Sequence, residues 1–416
     1  MTSIPSGKAK DPNSKASGKT HPFDKGIRMS ARLCSVLAFG LLLTGIVLNY
    51  YLPSIAYVEW FKNDDFYFLV RYSVNLLPEL QAPDAGFFSF LKETFFRPIT
   101  RNVFWWLTDE ICRMEYACYL RLHIGLILGG VGLLPAGLLV ALGATSRKSA
   151  FRIAELLKVL SLALPVSIAL LMSSTTLDVA SWVSNTQASI SFLAFSAYLF
   201  IVLMAARSGR IGTQVFLVPS LFAETVLAFS NIGYFLAASG SSLGAMMLWG
   251  PKNTEWLRML GVRLAFVSGI LLLYKFTVVA NIQPGMPYST ALDLPTLGLN
   301  LRYYETIDPL SFFLYKTEIA LSLLLALPLP STLCIWGHCE DRDALFSDRA
   351  KIQRLLLLLT LIALTPFLFQ SYQRYPYYLF LFRSLVWVNL LPTVLICVAR
   401  LPRLGTGRIK KRDAIH

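Results

Sequence analysis

Asp64 and Asp65 stand side by side in FKNDDFYFLVRY, residues 61 to 72, just beyond the first long apolar run of the chain. Partial desolvation raises the pKa of a carboxylate. Such a group can take a proton from a hydroxyl as a general base. On a helix, adjacent side chains point about 100° apart, so one of the pair would face a shared pocket. The same residues also read as two solvated loop carboxylates, or as an aspartate paired with Lys62 or Arg71.

Cations stand close by. In ETFFRPITRN, Arg97 and Arg101 are four residues apart, and Pro98 between them opens a helix more readily than it interrupts one. A planar guanidinium matches phosphate oxygens, so Arg97, Arg101 and Arg71 are candidate anion ligands. The alternative is that they reach for lipid headgroups. Glu224, in VPSLFAETVLAFSN, lies inside an apolar run, where a carboxylate is costly and marks a functional candidate. Asn231, seven residues on, is expected on the same helical face. His123 in YLRLHIGLIL reads as a ligand or as a packed core histidine. Lys275 and Arg383 also fall within apolar runs. NLRYYETIDPLSF contributes a second polar, aromatic cluster with Arg302 and Tyr304, which reads as part of a site or as an ordinary turn, since Asp-Pro favours one. Cys112 and Cys118 share one loop, as a disulfide or as two free thiols.

Nucleotide-driven and zinc-protease chemistry are unsupported. The chain has no Walker A sequence, no GxGxxG after a strand, no HExxH and no GxSxG. Its four histidines form no close set with carboxylates. That argues against a tightly held metal and leaves only a divalent ion shared between Asp64 and a phosphate. No cofactor is expected.

These residues must be positioned by helices in a membrane. The chain is 55% hydrophobic and only 15% charged, with mean hydropathy +0.56. Many runs reach the roughly 20 residues that span about 30 Å of hydrocarbon. The pattern predicts an all-α polytopic membrane protein of about ten transmembrane helices. The first covers 33 to 52, the second 119 to 143, the third 153 to 173 and the fourth 188 to 206. Residues 213 to 250 read as a helical hairpin broken near Gly233 or at SGSS. Further spans cover 263 to 282, a stretch after residue 311, 355 to 370 and 378 to 399. Two outer loops result, 53 to 118 and 283 to 311.

Charge sets the orientation. Residues 1 to 32 form a polar tail with seven basic and two acidic residues, expected to be disordered. Residues 400 to 416 form a second basic tail. Both belong in the cytoplasm by the positive-inside rule, around a membrane domain of 33 to 399. The 53 to 118 loop holds nine acidic and six basic residues and belongs outside. The net charge of +14 is explained by these tails and inner loops, so no nucleic-acid partner is expected. VEWFKNDDFYFLVRYSV, FFSFLKETFFRPI and NVFWWL suit helices lying in the membrane interface.

Together these segments resemble the GT-C class of integral membrane glycosyltransferases, which use polyprenyl- or dolichyl-phosphate sugars. NDDFYFL resembles the acidic motif that opens the first outer loop of that class, and FFRPIT the Arg-Pro sequence after it. LRLHIGLILGG is similar to its His-containing second span, WVSNTQASISFLAFSAYLF to the opening of its fourth, and SLFAETVLAFSNIGYF to a later span. Members often show a Lys-Glu pair there, whereas this chain has Ala223 before Glu224. The likeness covers roughly residues 30 to 240.

The resemblance implies inverting transfer of a sugar to an acceptor hydroxyl at the outer face, on a cell-surface glycan or glycolipid. Asp64 or Asp65 would be the base. Arg71, Arg97, Arg101, His123, Glu224, Lys275, Arg302 and Tyr304 would bind the donor phosphate or the substrates. Short loops and compact size point to a bacterial inner membrane. The alternatives are a lipid-linked glycan polymerase or ligase, whose large outer loop tends to come late, and a transporter or flippase, which predicts an internal repeat.

Overall fold

The computed structural model describes residues 91, 97–100, 111–113, 115–142, six positions between 163 and 179, 186–251, 253–278, 344–364 and most of 380–391. Among these residues the structure is entirely helical. Its main helices are α1 Tyr116–Ala141, α2 Thr186–Arg207, α3 Gln214–Ala228, α4 Ile232–Trp249, α5 Thr254–Thr277 and α6 Ala344–Leu364. Four of them, α1, α2, α4 and α5, are long and apolar enough to cross a membrane. The protein is thus a helical membrane protein. The spans expected at 33 to 52, after 311 and most of the last lie outside the described residues.

Interhelical contacts fix the directions. Gly129 and Gly130 of α1 face Leu193 and Phe192 of α2, and Gly137 faces Phe200, so the two helices run parallel. Tyr234 of α4 meets the rings of Phe192 and Phe195, at centroid distances of 6.4 and 6.2 Å, and further along both helices Tyr198 of α2 and Ser239 and Ser242 of α4 bond the same carboxylate, Glu224, which sets α4 parallel to α2. On α4, Gly240 faces Ile362 of α6 while Gly244 faces Leu355 and Leu358, so α6 runs the opposite way. Small residues spaced by four let two helix backbones approach closely within a bilayer.

The expected hairpin is present, broken beside Gly233 and not at SGSS. Residues 214 to 249 form α3 and α4, joined at Phe229–Asn231. Ser230 and Asn231 suit a helix end because their side chains bond the local backbone. The Ser230 hydroxyl donates to the Val226 carbonyl at 2.7 Å, and the Asn231 Oδ1 accepts the Gly233 N–H at 3.0 Å as the cap of α4. Asn231 is therefore a cap, and does not share a continuous helix with Glu224. SGSS stays helical: the Ser241 hydroxyl turns back to the Ala238 carbonyl at 2.6 Å, and the glycines admit α6. Two boundaries also move outward, α5 starting at Thr254 and α6 at Ala344.

Local chemistry explains how broken helices hold. Pro135 in α1 has no N–H for the Val131 carbonyl four residues back; the Ser167 hydroxyl donates to that oxygen at 3.1 Å. At the far end, Arg207 Nη1 donates to the Val140 carbonyl at 2.7 Å, satisfying one of the terminal acceptors of α1.

A close approach between α1 and α2 gives a test. A side chain at Gly130 would enter the space of the Phe192 ring, and that ring is itself held 4.5 Å from Phe380. Gly130→Val is expected to cost about 1–3 kcal/mol, the usual range for overpacking. Gly132 meets nothing within 4 Å. Thermal unfolding in detergent should show a lowered midpoint for Gly130→Val and none for Gly132→Val; equal midpoints would refute this packing.

Candidate functional site

Two polar constructions stand out from the apolar bundle. The first is centred on Glu224, which has 0% of its surface exposed. Its Oε1 accepts from Arg263 Nη1 at 2.5 Å and from the Ser242 hydroxyl at 2.7 Å, and also from the Tyr198 hydroxyl. Its Oε2 accepts from the Ser239 hydroxyl at 3.0 Å. Arg263, 1% exposed, reaches Ser220 through Nη2 and Ser242 through Nη1, and its guanidinium lies 5.4 Å from the Phe216 ring centroid. At 1.5 Å per residue, Glu224 lies about 15 Å along α3 and Arg263 about 14 Å along α5 from the Arg207 end of the bundle. The pair therefore sits near the middle of the hydrocarbon.

The hydroxyls come from Tyr198 of α2 and Ser239 and Ser242 of α4, so the cluster joins four helices at one level. Ser239 and Ser242 are three apart and share a face of α4. A charge in hydrocarbon is tolerated when it is paired and hydrogen-bonded, and these side chains supply both conditions.

The second construction lies at the opposite end. The segment 97–100 folds against the α3–α4 turn. The Ile99 N–H donates to the Phe229 carbonyl at 3.2 Å, and the buried Thr100 hydroxyl donates to the Ser230 carbonyl at 3.1 Å. These are carbonyls that a helix end leaves without an internal partner. Two residues before Ile99, Arg97 Nη1 donates to Gln187 Oε1 in the first turn of α2 at 2.5 Å. The seam that carries Gly130 and Gly137 against α2 continues one heptad to His123, buried at the level of the first residues of α2. Cys112 and Cys118, disulfide-bonded with a Cα separation of 5.4 Å, lie at the same end.

No protein family, curated protein or solved structure matches the chain.

Of the residues singled out from sequence, Arg97 and His123 lie at one end of the bundle, without a contact between them being shown, and Glu224 lies in the buried cluster. Lys275 is exposed in the last turn of α5, outside both constructions. Asp64, Asp65, Arg71, Arg101, Arg302 and Tyr304 lie outside the described residues. Sequence reasoning missed Arg263, Tyr198 and Gln187. Arg263 had a signal: it is a cation within VRLAFVSGILLLY, but a span drawn to begin at that residue treats it as a flank. Among the described residues, no three His, Cys, Asp or Glu side chains gather as a metal site would require.

Proposed function

We propose that this protein is a GT-C-like glycosyltransferase of about ten spans. It transfers a sugar, with inversion, from a polyprenyl-phosphate carrier to an acceptor hydroxyl on a surface glycan or glycolipid. In this reading both tails are cytoplasmic, the membrane is the bacterial inner membrane, and residues 53 to 118 and 283 to 311 form the outer face. Asp64 or Asp65 removes the acceptor proton, the freed oxygen attacks the anomeric carbon, and polyprenyl phosphate departs towards the arginines. The donor was activated elsewhere, which accords with the missing nucleotide motif.

The observation that carries the reading is a convergence. FFRPIT, the opening of α2 and SLFAETVLAFSN carry the resemblance separately in sequence, and they meet at the Arg97–Gln187 and Thr100–Ser230 contacts. The Cys112–Cys118 disulfide at that end suits an oxidising, extracytoplasmic compartment. A transporter reading would use the mid-membrane pair Glu224–Arg263. That pair is enclosed by its own side chains, which favours a structural role.

The test is direct. Purified protein in liposomes should transfer sugar from polyprenyl-phosphate sugars, with inverted anomeric configuration by NMR, and should not transfer from nucleotide sugars. Activity with nucleotide sugars alone, or unaltered configuration, would sink the reading.

A further inference from the structure

The seam between α4 and α6 is tight where glycines line it and open beside them. Gly240 and Gly244 receive Ile362, Leu355 and Leu358. Leu358 is nevertheless exposed, and Met247, one turn past Gly244 on α4, is 63% exposed. On α6 the exposed row continues to Leu361 in one direction and to Arg354 in the other. Positions 354, 358 and 361 follow the i, i+4, i+7 spacing of a single helix face. An arginine thus heads a strip of apolar side chains turned towards lipid.

The strip begins at a defined depth. Lys351 Nζ lies 5.7 Å from the ring centroid of Trp249, the last residue of α4. Leu355 and Leu358 meet Gly244, five residues before Trp249, or about 7.5 Å along the helix. Arg354 therefore stands about one turn inside the level of Trp249. Tyr234 is level with Phe192 and Phe195, so counting on along both helices brings Trp249 level with the Arg207 end of α2. Tryptophan is favoured where hydrocarbon meets headgroups, and a long cationic side chain reaches out to that layer from one turn inside.

These cations have no counter-ion from the protein. Arg263 at mid-membrane is paired with Glu224, whereas among the described residues neither Lys351 nor Arg354 forms an ion pair. A cation bordering hydrocarbon is costly without an anion, and at this depth lipid phosphate supplies one.

We propose that Lys351, Arg354 and the α4–α6 seam form a binding site for an anionic glycerophospholipid. Its phosphate meets the Arg354 guanidinium, whose planar fork suits phosphate oxygens, with Lys351 beside it. An acyl chain lies along Leu358, Leu361 and Met247. A zwitterionic lipid brings its own ammonium towards two cations and is disfavoured, so the site selects a net negative headgroup. In the orientation proposed above it faces the cytoplasmic leaflet. It stands at the opposite end of the bundle from the Arg97–Gln187 contact and does not depend on glycosyl transfer.

The experiment uses full-length protein in detergent, with phosphatidylglycerol, phosphatidylethanolamine of the same acyl chains, and inorganic phosphate as probes. Native mass spectrometry reads retained lipid, and thermal unfolding reads the midpoint. Phosphatidylglycerol should be retained in preference to phosphatidylethanolamine and should raise the midpoint, as a ligand of the folded state does. Inorganic phosphate should not displace it. Arg354→Gln and Lys351→Gln should each weaken retention about fivefold, the effect of one basic residue at an anionic surface, and should shrink the lipid-induced rise. Without lipid, Arg354→Gln should unfold at the wild-type midpoint, because the side chain is exposed. Arg354→Lys should restore most of the retention. Arg210→Gln removes an exposed cation in the turn after α2, at the same end but off the seam, and should leave retention unchanged.

Equal retention of the two lipids, displacement by inorganic phosphate, or unchanged retention in Arg354→Gln would each overturn the site. So would an equal loss in Arg210→Gln, which would mark attraction to overall charge and not to this seam.

Discussion

Asp64→Asn or Asp65→Asn is expected to slow sugar transfer by about 10²–10⁴-fold, the contribution of a positioned general base. The substitution preserves size and removes the proton acceptor, so binding of donor and acceptor should change little. The loss should fall on kcat rather than on KM, because proton removal is needed in the transition state and not for binding. Adjacent side chains diverge, so the two variants should differ: one nearly inactive, its neighbour within a few-fold of wild type. An acceptor whose hydroxyl is already ionised should restore part of the rate of the inactive variant, since it no longer needs the base. Steady-state kinetics in liposomes, with folding checked by unfolding temperature, decides the matter. If both folded variants transfer at wild-type rates, neither aspartate is the base and the resemblance of NDDFYFL to a catalytic motif misleads.

The features legible in the sequence were those set by one stretch of chain. Long apolar runs become helices because hydrocarbon leaves the backbone no other partner, and α1 and α2 fall within a few residues of their expected bounds. The hairpin was legible as well, since 213 to 250 is too long for one span. Its turn beside Gly233 was one of two candidate breaks, and the other was not a break. SGSS looks like a break by composition, yet its hydroxyls bond within the helix, its serines serve Glu224 and its glycine seats Ile362. Those uses depend on other helices. Glu224 was marked by its environment alone, but its partners were not, because Tyr198 and Arg263 lie 26 and 39 residues away. The Arg97–Gln187 contact spans 90 residues. Nothing local in FFRPIT says that its arginine is held by an amide.

The buried cluster supplies the other large effect. Glu224→Ala is expected to destabilise the fold by about 3–5 kcal/mol, the penalty for leaving one partner of a buried ion pair uncompensated. The hydroxyls contribute far less, since hydrogen bonds between membrane helices average about 0.6 kcal/mol. Removing them singly, as in Ser239→Ala, should therefore be barely visible. Arg263→Met should be as damaging as Glu224→Ala, because it leaves a carboxylate in hydrocarbon with only hydroxyl donors. The double variant Glu224→Gln, Arg263→Met removes both charges at similar volume, and the amide can still bond Tyr198, Ser239 and Ser242. Replacing a whole buried pair is often neutral, so the double variant should unfold close to the wild-type temperature, far above either single. That non-additivity identifies the pair as a coupled unit. It also separates structure from transport: a clamp tolerates loss of both charges with function kept, whereas a charge-translocating pair would leave a folded but inactive protein. Unfolding midpoints of the four proteins, together with their transfer rates, give both answers, and a double variant no more stable than the worse single would overturn the account of the cluster.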